Sequence, residues 1–587
     1  MEKKLKVDIN IEGTQITHFS TFNLDQRFNE HHTFQLRFNH DMVEEYNAVT
    51  LENSKDFIGK NITVQFGTAD SGENKFSGIV TRVELSQSHG FHGDILVSGF
   101  SPTILIDRGP DLGSYLNKSL SSIIQLATQD APANDLNLNI KPTNTSPIDY
   151  IIQYRESDFE FINRLSAEYY EWFYYDGAKL NFGKPDKLEE VALIYGRDLH
   201  SLQYAMQIAP LKHNKFAYNS KQDELLSSGP QGASGATPDL SHAISASNKV
   251  FSKVYNEPVN VRVNDKKEID DFVNNQQKAL ISELVTIVGN GDNPMVGLGK
   301  ILNVSMSVRG TGAFELQDFG KFLVTAVYHQ VDGVGHYQNT FEGVTADTER
   351  IAVEEAEKPN PDMQLAIVTD NDDPQKQGRI KVQFKWQCTA NDTTEWLRVV
   401  SPNAGHGDTG KNRGFLVVPE KGDQVLVGFE EGNIARPVIM GSVYHSNNVD
   451  SGGFTNSNIK GMTSRRGSNL TFDDGAHALT LATSAANIMN VQEQQGAVQT
   501  TAAKVISHKT GNNLIEVKND DGSITLMSDQ TITLKSGKSS ITLHTDGTIS
   551  IAGKTFNLSA QDNNITGTNN HIQGSQTKID GGKTFIA

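Results

Sequence analysis

The chain has 587 residues and a mass of 64.4 kDa, several times the length of an ordinary domain, so more than one folding unit is expected. Lys and Arg number 52 against 70 Asp and Glu, a formal net charge of −18 with 37% hydrophobic residues. This acidic, foldable composition argues against a protein that works by gripping phosphate backbones, and the single cysteine, Cys388, excludes a disulfide within one chain and any cysteine-built zinc site.

The opening MEKKLKVDINIEG alternates polar and apolar residues and has no h-region, so no Sec signal is expected. No apolar window long enough to span a bilayer follows, and the sequence reads as made and assembled in the cytoplasm. The first 220 residues read as α+β. ILVSGFSPTILI (95–106) and ALIYG (192–196) suggest strands, whereas Ser119 to Thr128 and Ser157 to Tyr169 carry apolar residues at helical spacing. Ser157 and Glu160 stand at the capping-box spacing, with Phe159, Ile162 and Leu165 on one side of the helix they start.

Residues 220–250, rich in Ser, Gly and Ala, read as a long loop. Asp265 to Val285 is expected to be helical through Ile269, Phe272, Ala279, Leu280 and Leu284, and KILNVSMSV and KFLVTAVYH resume strands. The acidic VEEAEKPNPD (353–362) marks a boundary. From Met363 to His445 the runs QLAIVTD, GRIKVQFKW, EWLRVVSP, RGFLVVP, DQVLVGF and RPVIMGSVY, divided by Gly, Asp and Asn turns, suit a small barrel of the OB type. Lys381, Phe384, Lys385 and Trp386 share one strand, which fits a solvated face and a core face better than a nucleic-acid groove.

Ser451 to Ala587 is near neutral, with 11 basic and 10 acidic residues, and has no proline. Here β-branched or aromatic residues recur every seven to nine positions, at Ile524, Ile532, Ile541, Ile549, Phe556, Ile565, Ile572 and Ile579. The units SITLM, TITLK, SITLH, TISIA, TFNLS, NITGT and HIQGS each read as a five-residue strand followed by a short polar turn. So short a strand cannot hold itself. A single-chain β-helix needs roughly 20 or more residues per coil, whereas eight suffice for one side of a prism built by several chains. The repeat therefore predicts an intertwined trimer, with these eight side chains in apolar layers on its axis.

Motifs suggestive of chemistry have simpler explanations. Gly405 to Lys411 fits the phosphate-loop spacing G-x-x-x-x-G-K, but Asn412 stands where Ser or Thr should follow, and a strand-like run comes next instead of a helix. Asp473-Asp474-Gly475 and Asp520-Asp521-Gly522 read as turns rather than paired catalytic carboxylates. His31-His32 and His89/His92 read as surface or strand histidines, and His571 stands alone, so no catalytic group, metal or cofactor is expected.

Two segments resemble the VgrG family, the trimeric spike of bacterial type VI secretion, itself similar to the hub and spike of contractile phage tails. QYRESDFEFINRLSAEYYEWFYYDG (153–177) is similar to the hub signature at Glu156-Ser157-Asp158-Phe159, Phe161, Arg164-Leu165 and Glu168. GRIKVQFKW (378–386), WLRVVSPNAG (396–405), VPEKGDQVLVGFEEGN (418–433) and RPVIMGSVYH (436–445) resemble its OB signature in family order. Three of these tail units read Ile-Thr-Leu instead of the family's Val-x-Gly, with Gly entering at Gly567 and Gly574.

The resemblance implies a mainly β protein with an α+β hub at 1–360 (two β subdomains plus helices), an OB barrel at 363–446, a linker at 447–466 and a β-prism needle at 467–587. It further implies an inner-tube (Hcp-like) partner at the hub base, baseplate proteins, effectors, transient contact with a target membrane, and export by the apparatus itself. A PAAR-type tip protein would dock at Thr584, Phe585, Ile586 and Ala587. The competing readings are a β-helical polysaccharide-degrading enzyme, a phage tail spike, and an OB-based nucleic-acid binder.

Overall fold

The computed structural model describes the chain except residues 1–4, 40–53, 69–71, 89–91, 133, 234, 310–313, 354–355, 409, 450–455, 484–486, 493–496 and 582–587. It divides into two compact units, Met1–Tyr444 and His445–Ala587.

The first unit is built on a 13-stranded sheet, antiparallel except where Glu190–Ile194 pairs in parallel with Ile301–Arg309. Its long members are Gly72–Ser88 and Phe314–Asp332. One continuous sheet carries two cores. Alternating residues such as Ile9, Leu24, Leu36, Val64 and Val97 form the first, together with helix residues Ile123, Phe161 and Leu165. Leu302, Val304, Leu323, Val327 and Phe341 form the second with Trp172 and Tyr174. Phe341 is accommodated by Gly289 on the paired strand, where a Cβ would lie 2.3 Å from the ring.

Helix α1 (Leu120–Ala127) starts where Ser119 Oγ accepts the Ser122 amide, and α2 (Asp158–Tyr169) has the full capping box from Ser157 and Glu160. Residues 220–250 are not the expected loop. Glu224–Ser228 is a strand paired with His213–Asn219, and Pro238–Val250 is a helix, α3, capped by Thr237 with Pro238 in its first turn. Its inner face is Leu240, Ala243, Ile244 and Ser247, packed near Leu211, Leu284 and Val285. Two of those four residues are small or polar, so the apolar period is weak although the helical spacing is intact. Helix α4 (Lys266–Ser282), capped by Asp265, follows the expected pattern.

Of the six barrel runs, four form a sheet, in the order Lys381–Phe384, Gln364–Asp370, Gln424–Phe429 and Pro437–Ser442. EWLRVVSP contributes only the isolated bridges Ile380↔Leu397 and Val399↔Ile439. RGFLVVP stays outside this sheet: its first two residues end the strand Gly410–Gly414 of a separate two-stranded ribbon, and Phe415, Leu416 and Val417 are exposed, Leu416 by 77%. An apolar run shows that a segment wants burial, not that its own chain supplies a partner. The barrel core is not private either. Tyr150, Ile152 and Tyr154, from one face of the hub strand Ile148–Glu156, pack with Ile380, Val382, Phe384, Val425 and Val427, while Ile151 on the opposite face joins the first hub core.

Beside this core Asp373 is buried and accepts from Arg379 at 2.7 and 3.0 Å and from the amides of Gln375 and Gln377. Burial opposes its charge, yet the guanidinium and the amides outweigh it and hold the carboxyl at about 2. A lowered carboxyl pKa gives stability that is present above the unfolded value near 3.8 and lost as pH falls toward 2. Asp373→Asn should therefore lower the melting temperature at pH 7 and flatten its fall between pH 4 and 2. An unchanged acid limb would assign that slope to other groups.

The second unit is all strand and turn. Ile459–Thr463, Asn469–Asp473, Ala478–Ala482, Ile488–Gln492 and Ala497–Thr501 form an antiparallel meander. A second holds Val505–Thr510, Asn513–Lys518 and Ile524–Met527, and a third Thr531–Ser536, Ser539–His544 and Ile549–Ala552. The expected strands at TFNLS, NITGT and HIQGS do not form, since residues 553–581 carry no strand. Asn and Gly, poor strand formers, crowd these last units, and among the described residues no strand pairs with them.

Candidate assembly surface and hub signature

The hub signature is a fold-holding ion cluster. A bulge between Tyr154 and Glu156, with Arg155 at φ 52°, turns the buried Glu156 toward the helix that follows. On α2, Arg164 is fully enclosed. Its Nε donates to Glu156 Oε1 at 2.6 Å, and one terminal nitrogen reaches Glu156 Oε2 at 2.9 Å and the Ile152 carbonyl at 2.8 Å. The other reaches Glu168 at 3.0 Å. Burial works against the guanidinium charge, but Glu168 and Glu156 hold its pKa above the ordinary value. Burial pushes Glu168 up, against the pull of Arg164. Asp158, Arg108 and Gln153 extend the cluster, with Arg108 to Asp158 at 3.1 Å and Gln153 to Asp158 at 3.0 Å. The signature residues pin strand 148–156, shared by hub and barrel cores, to α2.

The other motifs resolve into structure. Gly405 to Lys411 lies in a β-ribbon, Ala404–Gly407 with Gly410–Gly414, where Arg413 donates to the His406 carbonyl at 3.1 Å. Asp473 Oδ1 accepts the amides of Gly475 and Ala476 at 3.0 and 2.9 Å, and Asp521 Oδ1 accepts the Ser523 amide at 3.0 Å, so both Asp-Asp-Gly sites are turns. His31 and His32 are not surface or strand residues. His31 stacks on Phe159 with ring centroids 3.7 Å apart and meets Thr103 at 2.7 Å. His32 is buried beside Gln26, and desolvation lowers it to about 3. His89 lies outside the described residues, His92 is in strand His92–Phe100, and His571 is exposed. Among the described residues no three His, Cys, Asp or Glu side chains group as metal ligands, and no helix is long and apolar enough to cross a membrane.

What distinguishes the molecule is the second unit's surface. None of its described residues is buried. Each meander has one apolar face, because strand alternation and register agree. In the third meander Ile532, Leu543 and Ile549 are in line across the sheet, as are Leu534, Ile541 and Ile551. In the second, Ile506, Val517 and Ile524 are aligned. In the first, Leu470, Leu481 and Met489 are aligned, and beside them Phe472, Leu479, Val491 and Val498. The opposite face of the third meander carries Thr533, Thr542 and Ser550.

Of the eight axis residues read from the repeat, Ile532, Ile541 and Ile549 thus share a face and Ile524 lies on the face of the second meander. Phe556, Ile565, Ile572 and Ile579 are exposed outside strands, and Thr584 to Ala587 lie outside the described residues. The repeat reading missed Leu526, Leu534, Leu543 and Ile551, equal members of these faces, although the alternation in Ile-Thr-Leu and Ile-Ser-Ile already carried them.

Comparison with known proteins agrees with this architecture. A model of the phage tail baseplate hub family matches residues 36–334, and one of the type VI secretion and phage-baseplate injector OB domain matches 364–444. The spike protein VgrG1b of Pseudomonas aeruginosa is 23% identical over 512 residues, which cover 79% of this chain and 62% of VgrG1b, so the match spans less than two thirds of that relative. VgrG1a of the same organism is 22% identical over 588 residues, 87% of this chain and 86% of the relative. A chain of a Francisella PdpA-VgrG complex superposes with a TM-score of 0.55 at 9% identity, covering 85% of this chain and 81% of that one. With a hub model over half its length and the injector barrel next in order, the chain belongs to the phage tail baseplate hub family, and the relatives it is similar to are VgrG spike proteins.

Proposed function

We propose that three copies of this chain form the spike of a type VI secretion apparatus. The hub (1–360) caps the inner tube through an Hcp-like protein and meets the baseplate, the barrel (363–446) and linker (447–466) connect, and the needle (467–587) pierces the target membrane. The complex assembles in the cytoplasm and is exported by the contraction it serves. Its role is mechanical rather than catalytic, and within the candidate carboxylate pairs Asp473 and Asp521 accept turn amides.

The observation that carries this reading is a strand-rich unit with three apolar faces and no buried described residue. A sheet with one apolar face must cover it, and each Ile or Leu covered contributes about 1.5–3 kcal/mol. Three copies with their polar faces outward cover all of them. Light scattering of the purified chain should give three times 64.4 kDa, and removal of residues 467–587 should weaken the trimer while leaving the rest folded. A stable, fully folded monomer would overturn the reading.

At the far end, Thr584, Phe585, Ile586 and Ala587 are proposed to dock a PAAR-type tip protein carrying effectors. Phe585→Asp with Ile586→Asp should abolish capture of that protein by an intact trimer, and undiminished capture would move the docking site elsewhere.

A further inference from the structure

Between the two hub cores runs a buried chain of polar side chains that includes two histidines. His329 stands on strand Phe314–Asp332, on the same face as Val327 of the second core and Val331 of the first. Its Nδ1 meets the Tyr337 hydroxyl at 2.7 Å, and that hydroxyl accepts from Asn339 Nδ2 at 3.0 Å. Its Nε2 meets Gln26 Oε1 at 3.3 Å, and Gln26 Nε2 meets His32 Nδ1 at 3.1 Å. Gln26, on strand Thr21–Arg27, thus bridges two buried imidazoles. Phe66 packs against His329 and Tyr175 against His32, whose Nε2 has no hydrogen-bond partner. The charged and titratable groups around the chain are few. His31, next to His32, is bonded to Asp107, Lys300 on the His329 side is bonded to Asn74 and Glu189, and Asp292 acts on Tyr337. No described carboxylate bonds to either ring of the bridged pair.

We propose that Gln26, His32 and His329 form an acid-sensitive lock in the hub, closed while both rings are neutral and opened when they take up protons. The amide has one oxygen and one NH2 group, so it accepts from one ring while it donates to the other. Two neutral rings satisfy that arrangement. Two charged rings each point an N–H at Gln26, and one of them meets the amide's own N–H. A single charged ring fares little better, because it is enclosed without a bonded carboxylate. Solvation acts in the same direction as geometry. Desolvation, with Lys300 and His32 adding to it, holds His329 at about 3, and desolvation holds His32 at about 3 against the pull of the Arg27 carbonyl. Unfolded, both rings titrate near 6.5. The unfolded chain therefore binds more protons between these values, so the stabilisation is full above pH 6.5 and lost as pH falls toward 3. Each ring lowers the folded-to-unfolded ratio by up to about tenfold per pH unit in that window. The lock lies within one chain and does not depend on the trimeric reading.

The test follows amide hydrogen exchange by mass spectrometry in the full-length protein between pH 7 and pH 4.5, corrected for the intrinsic pH dependence of exchange. Strands Thr21–Arg27, Phe314–Asp332 and Tyr337–Thr345 should lose at least tenfold in protection across that range. His32→Gln combined with His329→Gln removes both titrating rings and should hold the protection of those strands constant. Gln26→Glu places a carboxylate between the rings and should cost less protection at pH 5 than at pH 7, whereas loss of a merely structural amide costs the same at both. Imidazole carbon NMR of the unaltered, histidine-labelled protein reads the rings without any substitution, and at least two of the 17 histidines should stay neutral at pH 5. Protection that persists to pH 4.5, an equal loss in the double variant, or a spectrum in which every ring is charged at pH 5 would each overturn the lock.

Discussion

Replacing Ile541 with Asp is expected to abolish needle assembly, whereas Asp at the adjacent Thr542 should be tolerated. Ile541 pairs across the sheet with Leu534 and Ile551, on the apolar face of the third meander. Thr542 pairs with Thr533 and Ser550 on the opposite face. In the trimer the first substitution places three carboxylates in one dry layer, at a cost of several kcal/mol per buried ion, and the second adds three charges to a wet surface. The single chain predicts the reverse order, because there Ile541 is 42% exposed and Thr542 is less accessible. The pair of variants therefore separates an assembled needle from an isolated chain. Light scattering reads the outcome directly, and equal damage at both positions would refute the assignment of faces.

The second large effect is expected in the hub. Arg164→Met should destabilise the first unit by about 3–5 kcal/mol, since it removes the only described cation bonded to Glu156 and strips Glu168 of its partner at 3.0 Å. The penalty comes mainly from carboxylates left enclosed without a counter-charge. Adding Glu156→Gln and Glu168→Gln to Arg164→Met should therefore recover part of the loss, which thermal melts of the three-residue variant would show. If the single variant melts within a degree or two of the unaltered protein, the cluster does not pin strand Ile148–Glu156 to α2. Because that strand serves both cores, melting should be felt in the barrel as well as the hub.

Much of the fold was legible where a rule is local. Ser157 and Glu160 announced α2, the spacing of Ile269, Phe272, Ala279 and Leu280 announced α4, and the alternation in QLAIVTD and DQVLVGF announced barrel strands. Long-range features were not. Helix α3 hid behind Ala243 and Ser247, small enough to be buried without an apolar signal. RGFLVVP looked like a strand because its composition asks for burial, yet among the described residues no strand pairs with Phe415 to Val417. In the ion cluster, Arg164 and Glu168 stand one helical turn apart and could be paired from spacing alone. Glu156 joined them only because the backbone turns at Arg155, a conformation that sequence spacing does not encode.

By itself the sequence determined the alternation within each strand of the tail, and with it which residues want to leave water, since successive side chains on a strand point to opposite faces. What the tertiary structure decided is which of them stand side by side. Turn lengths and pairing set the register that brings Leu534 and Ile551 beside Ile541, and Val517 beside Ile506. A shift of one residue would send either set to the wet face.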